Sequence, residues 1–122
     1  MIIKINKNLY FRGYCCHFLV DRNKDKFLKN SFIYEEKIPI LYEHKIIIGY
    51  TTQVREDSFG LYIEFKLFDT LNKIDFQIPS KLSVGFKCLK YFYKKNIRYI
   101  VKAKILEISL VKNPSQPTTY YY

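Results

Sequence analysis

Apolar and polar residues alternate in twos along much of the chain, which is the period of a strand with one buried face. In the segment 61–68, Leu61, Ile63, Phe65 and Leu67 share one side, and Tyr62, Glu64, Lys66 and Phe68 share the other. Runs of β-branched and aromatic residues at 38–41 and 46–50 read as further strands. Gly60 and the polar group Arg55-Glu56-Asp57-Ser58 separate the last of these from 61–68 and predict a hairpin turn. A second, longer hairpin is predicted from 82–93 and 98–111, with Lys94-Lys95-Asn96 at its tip. Its lysines belong on a solvated face or near that tip. Helix signals are weaker. The segment 26–33 predicts a short helical turn, and 69–74 predicts another, capped by Asp69 or Thr70, before Pro79 ends anything helical ahead of Ser83. The segment 113–122, with Pro114, Pro117 and three terminal tyrosines, reads as an irregular tail. These elements predict one domain over 1–112, mainly β with short helices (α+β), built as a small antiparallel β-barrel or sandwich.

Composition narrows the class. With 122 residues, 48% of them hydrophobic, the chain has material for one core and too little for two, and it is too apolar to be disordered. No apolar run approaches the roughly 20 residues of a membrane-spanning helix, and the first residues lack a secretory signal pattern. The expectation is therefore a protein of the cytoplasm, without a membrane partner. Cys15, Cys16 and Cys88 match neither a disulfide framework nor zinc-ligand spacing. They read as buried thiols, and no metal or cofactor is expected. The net charge of +10 has two explanations. Lys outnumbers Arg, and Ile, Asn and Tyr are plentiful, as in a protein encoded by AT-rich DNA. Against that, Lys87, Lys90, Lys94, Lys95, Arg98, Lys102 and Lys104 cluster on the second hairpin, where they could track phosphates. The compositional explanation is favoured over nucleic-acid binding.

Three residues carry candidate chemistry. His44 lies between the apolar runs at 38–41 and 46–50, Ser83 sits between Leu82 and Val84 with Gly85 beyond it, and Glu107 interrupts an apolar strand. A base, a hydroxyl and a carboxylate are the parts of an activated serine. Each also has an ordinary reading: a histidine bonded to a carbonyl, a small hydroxyl in a strand, a carboxylate on an exposed edge. Alternation puts Glu107, Ser109 and Val111 on one face of their strand. Ser83 is not in a Gly-x-Ser-x-Gly elbow, because position 81 is lysine, and Gly85 would let a substrate backbone approach closely. His17, in an apolar run without polar neighbours, reads as a core histidine.

In order, the motifs resemble those of the prohead proteases of tailed bacteriophages, capsid maturation serine proteases akin to the herpesvirus assemblins. The residues that carry the resemblance are Gly13-Tyr14, Asp21, Pro39 to His44, Ile48-Gly49, Glu56-Asp57, Gly60-Leu61-Tyr62-Ile63-Glu64, Leu82-Ser83-Val84-Gly85-Phe86, Glu107 to Val111 and Asn113-Pro114. Asn30-Ser31-Phe32 stands where the family has Gly-Ala-Phe. The resemblance implies an assemblin-like fold and a serine endopeptidase with His44 as general base, Ser83 as nucleophile and Glu107 as the third member. It also implies the major capsid protein and scaffold as substrates, a homo-oligomer, and action inside the procapsid of a bacterial host. The family has a longer helical stretch before its serine. A shortened relic that only docks on capsid or scaffold, or a basic nucleic-acid-binding module, is the alternative.

Overall fold

The computed structural model describes residues 9–68 and 81–112, and every regular element among them is a strand. These are β1 (Tyr10–His17), β2 (Asp25–Phe27), β3 (Phe32–Ile33), β4 (Pro39–Tyr42), β5 (Ile46–Glu56), β6 (Gly60–Leu67), β7 (Lys81–Lys94) and β8 (Ile97–Val111). They form one sheet in the order β1-β6-β5-β4-β8-β2, with β3 and β7 also paired to β8. The β1–β6, β5–β6, β4–β5 and β7–β8 pairs are antiparallel, whereas β2, β3 and β4 join β8 in parallel. The sheet curls until β1 and β7 approach without pairing, a half-barrel and not a two-layer sandwich.

Both predicted hairpins are present, β5–β6 and β7–β8. The helical turn expected at 26–33 is not. Backbone pairing to β8 takes its place: Leu28 N–H donates to Ile100 O (3.1 Å), and Ala103 N–H donates to Ser31 O (2.8 Å). Phe27 is fully buried with its ring centroid 5.2 Å from that of Phe32. Long-range pairing and burial outweigh a weak local preference. The helical turn expected at 69–74, Pro79, the tail 113–122 and Asn113-Pro114 lie outside the described residues.

The period-two reading of β6 holds. Leu61, Ile63, Phe65 and Leu67 are fully buried, packed with Ile40, Leu82, Ile100, Ile108 and Leu110. Each such side chain stabilises the fold by roughly 1.5–3 kcal/mol relative to exposure. Cys15 and Cys16 are buried free thiols, and Cys88, also free, is half-buried against the core. His17 is buried at the end of β1, its Nδ1 accepting Leu19 N–H at 3.1 Å.

Two motif residues clamp the sheet at the β5–β6 corner. Asp57 Oδ2 accepts the Tyr14 hydroxyl at 2.5 Å, and its Oδ1 accepts Phe59 N–H (2.8 Å) and Gly60 N–H (3.2 Å). Glu56 accepts Asn30 N–H at 3.0 Å. Asn30 has φ 64°, so the family's glycine is replaced by a residue that tolerates the left-handed region.

The long hairpin carries the side chains of interest. Leu82, Val84, Phe86 and Cys88 pack on the core, so alternation turns Ser83, Gly85 and Lys87 to the opposite, outer face. Their cross-strand partners are Ser109, Glu107 and Lys104. One extra residue of β8, Leu106, bulges between the Gly85–Glu107 and Phe86–Ile105 pairs and keeps both sets in phase.

Candidate active site

His44 reaches the outer face from the turn between β4 and β5. Lys45 N–H donates to Tyr42 O at 3.0 Å, with Glu43 and His44 between them at φ 50° and 61°. A left-handed conformation costs a non-glycine residue about 1–2 kcal/mol. The end of β8 holds both residues in it. Glu43 N–H donates to Leu110 O (3.0 Å), Glu43 Oε1 accepts Lys112 N–H (2.8 Å), and His44 N–H donates to Ser109 Oγ (3.1 Å).

So held, the imidazole meets the carboxylate of Glu107, with Nδ1 and Oε1 2.5 Å apart. The other carboxylate oxygen, Oε2, accepts the Ser109 hydroxyl at 2.7 Å. Glu107 is thus fixed at both oxygens, and Ser109 links its carboxylate to the backbone of the residue it orients. An ionised carboxylate only accepts, so the contact favours the tautomer with the proton on Nδ1, in which Nε2 holds the lone pair. Roughly half of the His44 side chain is exposed (46%), against 18% for Glu107. The ring is open to an incoming ligand while its partner is covered.

Ser83 stands one strand away, directly opposite Ser109 and on the same face as Glu107. Cross-strand neighbours have Cβ atoms about 4.5–5.5 Å apart. The structure therefore joins His44 to Glu107 and sets Ser83 beside them, but no hydrogen bond links Ser83 to His44 among the described residues. Ser109 is the residue whose part the sequence reading missed. Its only signal was the Glu-x-Ser spacing that puts it on the face of Glu107.

Gly85 differs from expectation. A Cβ there would stand 2.4 Å from Glu107 Oε1 and 2.8 Å from its Cδ. The open space above Gly85 is filled by the Glu107 side chain on its way to His44, and not left for a substrate backbone.

A cavity of about 30 Å³ opens beside Ser83, walled by Cys15, Phe27, Leu82, Val84 and Phe86, with Asp21 at its rim. That is room for about two waters. Burial pushes the Asp21 carboxyl above its usual range, against the opposing pull of the Asp25 and Asn23 N–H groups that bond it.

The profile of the Caudovirus prohead serine proteases matches residues 3–121. No curated protein matches the chain. Among solved structures, the fold is similar to that of a KSHV protease in complex with a hexapeptide phosphonate inhibitor. The TM-score is 0.60 and the identity 13%, over 93% of this chain and 64% of that one. Varicella-zoster virus protease is similar with TM-score 0.49 and 14% identity, over 92% of this chain and 62% of that one. The chain spans less than two thirds of either viral protease. A match across nearly the whole sequence, on a fold shared with a viral protease, makes this chain a member of the Caudovirus prohead serine protease family.

Proposed function

We propose that the protein is a serine endopeptidase of procapsid maturation, with His44 as base, Ser83 as nucleophile and Glu107 as the residue that orients the base. One observation carries the reading: the 2.5 Å contact between His44 Nδ1 and Glu107 on the face that bears Ser83. Ser83 Oγ attacks the scissile carbonyl while His44 Nε2 takes its proton and passes it to the leaving amine. Water then attacks the acyl-enzyme by the same route in reverse roles. Glu107 keeps the imidazole in the right tautomer and stabilises the imidazolium, and Ser109 keeps Glu107 from turning away. Catalytic hydrogen bonds of this kind tighten when substrate binds, which is when Ser83 and His44 meet.

The major capsid protein and the scaffold are the proposed substrates, cleaved inside the procapsid by a homo-oligomer of this chain. Replacing Ser83→Ala tests the assignment. Processing of the cognate capsid protein is expected to slow by on the order of 10⁴–10⁶-fold with the circular dichroism spectrum unchanged. Equal processing by variant and wild type sinks the proposal. The lack of a Ser83–His44 hydrogen bond would then speak for the second reading, a relic that docks on capsid or scaffold without cutting.

A further inference from the structure

The charge of this protein is not spread over it. Eight of the 21 basic residues and none of the 11 acidic ones lie in the segment 81–106, which therefore carries +8 of the net +10. The other 96 residues carry +2 between them. An AT-rich coding sequence explains many lysines, but not a stretch of 26 residues without one Asp or Glu.

The register of the hairpin then sorts these lysines by face. Lys87 is paired with Lys104, and Lys90 with Lys102, and all four are exposed. Each pair alternates with buried neighbours, Ala103 and Ile105, which places both on the outer face. Directly opposed like charges weaken a sheet. No carboxylate forms an ion pair with any of the four among the described residues. Beyond them the same face ends in Phe92 and Tyr99, whose rings stack with centroids 5.0 Å apart and an interplanar angle of 6°. Arg98 is turned to the other face, where Asp25 binds it at 2.8 and 2.9 Å.

The outer face also bears Ser83 and Glu107. One face of the hairpin thus carries in order the candidate nucleophile, two lysine pairs and an aromatic pair. Lys87 lies four residues from Ser83 along β7, about 13 Å at the rise of a strand.

Resting on the protease reading above, we propose that this strip is where the substrate polypeptide docks, and that it selects acidic sequence. An extended chain with its scissile bond at Ser83 meets Lys87 and Lys104 about four residues away, since substrate and strand share the same rise. Glu or Asp there, and a little farther on, relieves the opposed lysines. An apolar residue beyond them lies on Phe92 and Tyr99. A second copy of this chain is a poor occupant, because it brings another +10.

Binding and cutting are tested separately. Ser83→Ala protein is titrated with a fluorescent glutamate-rich peptide and its glutamine counterpart. The glutamate peptide is expected to bind more tightly, with affinity falling as salt rises. Lys87→Gln combined with Lys104→Gln is expected to weaken it about fivefold, leave the glutamine peptide unaffected, and hold or raise Tm. Equal binding of the two peptides overturns the proposal, and so does an oligothymidylate that outcompetes the glutamate peptide. Wild-type protein is then given a mixed peptide library. Cleavage sites with Asp or Glu about four residues to one side support the docking strip. Cleavage without that bias overturns it and leaves the protease reading standing. No cleavage overturns the protease reading, and the titration alone then decides whether the strip binds acidic polypeptide.

Discussion

At the scale of single residues, the candidate site depends on what is missing at position 85. The Glu107 side chain, which meets His44, lies over Gly85 of β7, and a Cβ at that position would stand 2.4 Å from its Oε1. Gly85→Ala is therefore a sharper probe of the His44–Glu107 pair than removing the carboxylate itself. The atoms in its way are the movable end of a glutamate, so Tm should shift little. The turnover rate should fall by roughly 10²–10⁴-fold, as when a triad acid is displaced. Steady-state kinetics and a thermal melt decide it, and a Gly85→Ala protein that cuts at the wild-type rate would show that Glu107 does not hold the base.

Between elements, two hairpin turns make an instructive pair. The β7–β8 tip puts Lys95 at φ 50° and Asn96 at φ 66°, and the β4–β5 turn puts Glu43 and His44 at nearly the same angles. Both are turns of the type that suits Asn-Gly, since both central residues are left-handed. At the tip nothing else depends on the choice. Lys95→Asn with Asn96→Gly is expected to stabilise the fold by about 1 kcal/mol, raising Tm by a few degrees without changing the rate of cleavage. An unchanged or lower Tm in a calorimetric scan would refute this account of the tip. At the β4–β5 turn the same exchange would delete His44, the base of the proposed mechanism, and with it the contact to Glu107.

For the whole molecule, pH acts through groups outside the candidate site. Burial, and then the nearby Lys26 charge, hold the His17 imidazole below its ordinary 6.5. The unfolded chain binds this proton more readily, so stability is full above pH 6.5 and falls as the pH drops through the folded value. Asp57 acts in the same sense at lower pH. Burial would raise its carboxyl, but the bonds from Tyr14, Phe59 and Gly60 outweigh that and hold it below the ordinary 3.8. Its contribution is present above pH 3.8 and lost below. Asp21, held above its usual range, works in the opposite direction and favours the folded state when protonated. Urea midpoints measured down the pH scale should fall in two steps, one below neutrality and one in acid. Tyr14→Phe should flatten the acid step alone; an acid step unchanged by that substitution would contradict the clamp.

Strand content, both hairpins and the inward row of β6 were legible because each rests on local alternation or turn chemistry, and motif order singled out His44, Ser83 and Glu107 as the residues to propose. The helical reading of 26–33 failed for a non-local reason: only β8, some 70 residues on, supplies the backbone partners that make strands of β2 and β3. Ser109 and Gly85 were visible as residues but not as parts. Their roles exist only once register sets Ser109 across from Ser83 and Glu107 across from Gly85. The lysines were legible as a cluster and not as two opposed pairs, since bulges at Leu89, Val101 and Leu106 decide which side each one faces. Local pattern settles which way a side chain points along its own strand. Which side chain it then meets is a property of the paired sheet.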